Sequence, residues 1–184
     1  LRSFLGKRNA RRCRHGRGMT RHDVLLHRDR SVVVVVDLQE RLSQEVAHRD
    51  RTVSAAAKLV EGARILGVPV LVTEHNARVF GPSVNEIGDV SPIHKMIFSC
   101  FQVEEFQKVI SAFSGKQLVL AGLESHICVC QTALDAIAAG WQVHVVEDAC
   151  SSRTTENHQV GLRKMERAGV FPATVETVLF EWME

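Results

Sequence analysis

Nowhere in the 184 residues is there an apolar run that could cross a bilayer. The longest, such as "SVVVVVDL" at 31–38, fall far short of the roughly 20 residues a spanning helix needs. The cysteines are equally uninformative as a framework: Cys13, Cys100, Cys128, Cys130 and Cys150 form no CxxC pair, no Cys/His cluster with zinc spacing and no even disulfide set. Their pattern excludes a disulfide-stapled secreted scaffold and predicts a reducing, intracellular compartment. No internal repeat and no low-complexity linker divides the chain. What remains, 45% hydrophobic and 24% charged residues, is the profile of one soluble globular domain with a sizeable core, too short for two.

Acid is missing from the front. "LRSFLGKRNARRCRHGRG" holds seven Lys or Arg and no Asp or Glu, leaving 16 basic against 21 acidic residues in the rest. Without a sustained apolar run this segment is not a secretory signal. Its arginine-rich, acid-free composition fits a mitochondrial transit segment, a disordered basic tail, or sequence ahead of a start at Met19. A nucleic-acid arm is the weakest reading, since arginines alone neutralise phosphates without any reading motif. Residues 1–30 are therefore taken as a basic N-terminal extension and 31–184 as the domain. The cytoplasm is the expected location, with the mitochondrion left open; neither a membrane nor nucleic acid is expected as partner.

From residue 31 onward, short apolar runs alternate with helical periods. "SVVVVVD" is β-branched and apolar on both faces, as a central parallel strand covered on both sides requires. Val53, Ala56, Ala57, Val60 and Ala63 recur at helical spacing, and Gly67 with Pro69 ends that helix before the strand "VPVLVTE". Residues 74–91 carry no periodic run and read as a long loop, a feature usually tied to function. "IHKMIFS" reads as a short strand, and Val103, Phe106, Ile110 and Phe113 as one face of a helix ended by Gly115. "QLVLAG" is a strand, 126–139 a helix closed by Gly140, "QVHVVED" a strand and 155–168 a helix ahead of Gly169. A last strand near 173–175 leads into a short terminal helix. The sum is an α/β three-layer, doubly wound sandwich around a six-stranded, mainly parallel sheet.

In such sheets, sites form beyond the carboxyl ends of the strands. Asp37 closes the first strand, Lys95 lies in the third, and Cys128 opens the helix after the fourth. Singly, each has an ordinary alternative: a buried small hydrophobe for the cysteine, a turn cap for the aspartate, a solvated surface lysine. Together they have the parts of a nucleophile, a base and a cation. A helix N-terminus favours thiolate, a carboxylate can take the thiol proton, and an ammonium can hold that carboxylate in place.

With these motifs in this order, "VVVVVDLQERL", "HKMIFSCF" and "LVLAGLESHICVCQTALDAIAAGWQVHVVEDACSS", the chain from about residue 31 to its end resembles the isochorismatase-like cysteine hydrolase superfamily. "GLESHICV", "TALDA" and "TEHNARVFGPSVNEI" are most similar to its isochorismatase domain-containing branch. The resemblance implies a Rossmann-like fold with Cys128 as nucleophile, Asp37 as general base and Lys95 as the group that orients them. It also implies a cis peptide between Leu123 and Glu124, with the backbone N–H groups of Glu124 and Cys128 forming an oxyanion hole. Gln39, Phe80 and Phe98 are expected to contact substrate, and His94 or His126 is a candidate proton relay.

The expected reaction is hydrolysis of a small amide or related C–N bond through a thioester. The rival expectation is a non-catalytic oligomeric binding or scaffold protein on the same fold. Family habit adds homo-oligomerisation. Nicotinamidases of this superfamily carry a metal-binding Asp-x-His after the second strand; here "TEHNAR" offers Glu74 and Asn76 instead. Adjacent Glu74 and His75 point to opposite sides of an extended strand. No metal and no cofactor is expected, and nicotinamide is a poor candidate substrate.

Overall fold

A computed structural model describes residues 21–184. The transit, tail and nucleic-acid readings of the basic front, and Cys13, fall outside the described residues. Six strands, β1 (Ser31–Val36), β2 (Val70–His75), β3 (Ile93–Lys95), β4 (Gln117–Leu123), β5 (Gln142–Ser151) and β6 (Phe171–Ala173), form one sheet in the order β3-β2-β1-β4-β5-β6. Every pairing is parallel. The strand order reverses between β1 and β4, the switch point at which open α/β sheets bind ligands.

The valine run of β1 is explained by the two layers it serves. Val33 and Val35 enter one core with α2 (Arg49–Leu66) and α7 (Val175–Met183), while Val32, Val34 and Val36 enter the other. That second core is shared with α4 (Glu104–Ile110), α5 (Cys130–Ala138) and α6 (Thr155–Arg167). Successive side chains of a strand point to opposite faces, so a strand covered on both sides must be apolar at every position. α2 ends as its sequence requires: Gly67 adopts φ 74, and the Val68 N–H donates to Ala63 O at 2.8 Å.

Several boundaries differ from the sequence reading. β6 ends at Ala173, because Thr174 Oγ1 caps α7 by accepting from Thr177 N at 3.2 Å, so Val175 is already helical. Pro172 is tolerated there because β6 is an edge strand. "IHKMIFS" is a strand only over Ile93–Lys95, since the carbonyls of Ile97 and Phe98 bend back to the Lys95 ammonium. The presumed loop 74–91 contains α3 (Ala77–Phe80) and a 3-10 turn (Asn85–Ile87), each too short to leave a periodic pattern. A five-residue helix, α1 (Glu40–Gln44), precedes α2.

The packed unit also reaches back before Ser31. Leu26 is fully buried, and the His27 N–H donates to Gln117 Oε1 at 2.9 Å.

Candidate active site

Three strand ends meet at the switch point. Asp37, the first residue past β1, takes a left-handed backbone (φ 52), which aspartate tolerates better than most residues. Its carboxylate is fully buried and engaged on both oxygens: Oδ2 accepts from Lys95 Nζ at 2.6 Å, and Oδ1 from Thr73 Oγ1 at 2.8 Å. Lys95 also donates to Phe98 O at 2.9 Å and Ile97 O at 3.2 Å, so the three ammonium protons have three acceptors. Buried ion pairs hold only when their remaining hydrogen bonds are satisfied, and this one meets that condition.

Cys128 arrives from β4. A π-type turn (Ser125–Val129) carries it, with α5 beginning only at Cys130, so the helix expected over 126–139 is really two elements. Such single π turns inside helical segments often mark functional positions. No peptide bond among the described residues is cis, and this corrects the expectation for Leu123–Glu124. The reversal is made instead by Glu124, which takes φ 49 and ψ 75 while its carbonyl accepts from Ile127 N at 2.9 Å and Val129 N at 3.3 Å.

Two glycines let the turn sit where it does. A Cβ on Gly122 (φ 126) would collide with the Val36 backbone, and one on Gly161 of α6 would come within 2.8 Å of His126 Cα and Ser125 O.

The thiol is not a resting thiolate. Burial first, then the charge of Asp37, push its pKa well above the usual range; Lys95 opposes this, and hydrogen bonding to Asp37 raises it further. The helix-terminus argument from sequence is thus outweighed by desolvation and the neighbouring carboxylate. Losing a proton to solvent would leave the buried cluster with a net negative charge. Passing that proton from Cys128 to Asp37 leaves the net charge unchanged, so the pair exchanges a proton far more readily than it releases one.

A cavity of about 220 Å³ opens at Cys128, between Phe80 and Phe98 and beside His75, Ile127, Glu124 and Arg153. Phe80 and Phe98 are where sequence expected substrate contacts. Gln39 is not: its side chain is fully buried, with Nε2 donating to Gly81 O (2.7 Å) and Oε1 accepting from His75 N (2.8 Å). It braces the loop that carries Phe80 and does not line the cavity. His94 lies two-thirds exposed beside Glu74, away from the cavity, and His126 bonds Ser152 Oγ at 3.0 Å behind Glu124.

Glu74, at the position considered for a metal, is engaged by Ser83 N (2.7 Å) and Ser83 Oγ (2.9 Å) and thereby anchors the same loop. Among the described residues, no three His, Cys, Asp or Glu side chains converge as a metal site would require. No described helix is long and apolar enough to cross a membrane.

Sequence reasoning did not place three polar side chains, those of His75, Glu124 and Arg153, in the cavity wall. His75 sits at the end of β2, stacked on Phe98 with ring centroids 5.5 Å apart, and burial followed by the Lys95 charge holds its pKa below the ordinary value. Glu124 precedes Cys128 by four residues, and Arg153 Nε lies 2.7 Å from its carboxylate. The one available signal was placement: His75 stands at the carboxyl end of β2, next to β1, whose end Asp37 follows.

Residues 31–177 match the isochorismatase domain. Isochorismatase domain-containing protein 2A of Mus musculus is 40% identical over 154 residues, covering 82% of this chain and 74% of that protein. Among solved structures, a Caenorhabditis elegans protein described as MAR1 ribonuclease is 29% identical with a TM-score of 0.79, over 85% of this chain and 83% of its own. The YcaC gene product of Escherichia coli, described as an octameric hydrolase of unknown specificity, is 27% identical with a TM-score of 0.83, over 89% and 84%. On the strength of the domain match and these relatives, the chain belongs to the isochorismatase domain family.

Proposed function

We propose that this protein is a cysteine hydrolase that cleaves a small amide or related C–N bond. The observation that carries the reading is the sequestered Asp37–Lys95 pair (2.6 Å) acting on a buried thiol that forms the wall of a small cavity. Cys128 Sγ attacks the carbonyl carbon as its proton passes to Asp37, giving a tetrahedral oxyanion. The backbone N–H groups of Glu124 and Cys128 stabilise that oxyanion; donors of this kind are worth about 3–4 kcal/mol of barrier in comparable sites. Collapse breaks the C–N bond, the departing nitrogen takes the proton from Asp37, and a thioester remains. Water then attacks the thioester while Asp37 accepts its proton; the acid leaves, and the proton returns to Cys128 sulfur. Lys95, with all three protons held, serves throughout as fixed positive charge.

The test is ammonia or amine release from a panel of small amides and carbamoyl compounds. Cys128→Ala is expected to abolish turnover with an unchanged circular dichroism spectrum. Full turnover by that variant on any compound the parent hydrolyses overturns the reading, as does a parent inert across the panel.

Self-assembly belongs to the same proposal. YcaC is described as octameric, and this chain exposes Met96, Ile97 and Phe98 beside the lysine as well as Ile65, Phe180 and Met183 on α2 and α7.

A further inference from the structure

The catalytic cycle just proposed makes no use of the Glu124 side chain, yet that side chain is in the wrong environment for a bystander. Its residue is 4% exposed, and both carboxylate oxygens are buried without a hydrogen bond among the described residues. Two nitrogen-bearing side chains are close. Arg153 Nε is 2.7 Å from Oε1, and His126 Nδ1 is 3.4 Å from Oε2, but neither has the alignment of a hydrogen bond. A buried carboxylate with unfilled acceptor positions is expensive, and native proteins rarely leave one so. The same cavity wall holds a second orphan, the buried Nδ1 of His75. Glu45 adds another acid to the lining, so two carboxylates face one guanidinium there, and the neutral imidazole does not change the balance.

We propose that Glu124 selects the substrate: the cavity takes a small neutral or cationic compound presenting a forked pair of N–H donors, ureido or amidino, and rejects carboxylates. A planar fork of two N–H groups matches a carboxylate's two oxygens, which is why guanidinium and carboxylate pair so well. Phe80 and Phe98 give the flat body of such a ligand its walls, and the free imidazole nitrogen of His75 offers one further polar contact. Arg153, more than half exposed, is the resident cation that an amidinium competes with and a ureido group does not. This inference deepens the amide-hydrolase reading and rests on it for the identity of the pocket as a substrate site.

The experiment measures binding, so that it is decided separately from turnover. In the Cys128→Ala protein, titration calorimetry compares four probes of one shape: phenylurea, benzamidine, benzamide and benzoate. Phenylurea and benzamidine are expected to bind at least tenfold more tightly than benzoate. Adding Glu124→Gln should cut benzamidine affinity about tenfold and bring it level with benzoate, whereas Arg153→Gln should strengthen benzamidine and leave phenylurea unchanged. If Glu124 served only to hold Arg153, the two substitutions would act alike; parallel losses in both variants overturn the proposal. So does benzoate binding as tightly as phenylurea, or an unaltered probe order in the Glu124→Gln protein. Selective binding of the forked probes by a protein whose Cys128→Ala form still turns over would leave the pocket reading intact and remove only the chemistry.

Discussion

A thiol whose pKa is held high is an unusual nucleophile; burial is the first cause and the charge of Asp37 the second. Of the charges that act on Cys128, Asp37 is the largest that raises its pKa and Lys95 lowers it. Replacing Asp37 by Asn removes the raising charge and leaves the lowering one, so the thiol must become more acidic. Iodoacetamide labelling of Cys128, followed by peptide mass against pH, is expected to shift toward lower pH in Asp37→Asn while amide turnover is lost. An unmoved or upward-moved labelling profile would contradict this account of the site. Cys150 serves as an internal control, because burial pushes it up to about 12 and the acids that act on it are Asp148 and Glu147, not Asp37. The substitution leaves a buried lysine less well paired, so folding is checked by circular dichroism.

At this scale the sequence was informative about chemistry and poor about environment. Asp37 could be found because it ends an apolar run, where a polar residue is conspicuous; Lys95 lies within a strand and Cys128 opens the segment after one, and the ordered motifs of the family resemblance tied the three together. The fate of Gln39 could not, because its two partners, Gly81 O and His75 N, lie 42 and 36 residues away.

Between elements, α6 packs closely against the turn of Cys128. Gly161 permits it: the Cβ of an alanine would press to 2.8 Å on His126 Cα and Ser125 O, both backbone atoms that yield only if the turn moves. Overpacking of this kind typically costs about 1–3 kcal/mol. Gly161→Ala is therefore expected to lower the free energy of unfolding in urea by an amount in that range and, because the turn itself shifts, to reduce kcat well beyond the loss in stability. A variant with lowered stability and unaltered kcat would show that helix, not turn, gives way.

Nothing in the sequence marks Gly161, which lies inside a helical period where a glycine reads as a mild defect. The elements themselves were readable wherever periodicity was long. β1 came out almost to the residue and α2 with its stop at Gly67; β3 was expected but is shorter than "IHKMIFS", while α3 and the π turn are shorter than any period that could announce them.

The whole molecule divides its labour between the two ends of the sheet. The carboxyl ends of β1, β2 and β3 bring Asp37, Thr73 and Lys95 together, whereas the amino ends are closed by the chain's own flanks. Trp182 of α7 is fully buried there and donates from Nε1 to Ser31 Oγ at 3.0 Å. The Leu26 N–H donates to Glu181 Oε2 at 2.8 Å, and Arg21 pairs with Glu184 at 2.9 Å. Replacing a buried tryptophan by alanine typically costs about 3–5 kcal/mol, from lost transfer energy and the cavity left behind. Trp182→Ala is expected to lose an amount of that order in urea unfolding, while at temperatures where it stays folded the pH profile of Cys128 labelling matches that of the parent. The reasoning is geometric: a six-residue central strand, about 20 Å long, separates the tryptophan's hydrogen bond at Ser31 from the carboxylate that follows Val36. A labelling profile displaced in Trp182→Ala would mean that strain at the amino end travels along β1 to Asp37, and the two ends would then have to be treated as one coupled unit.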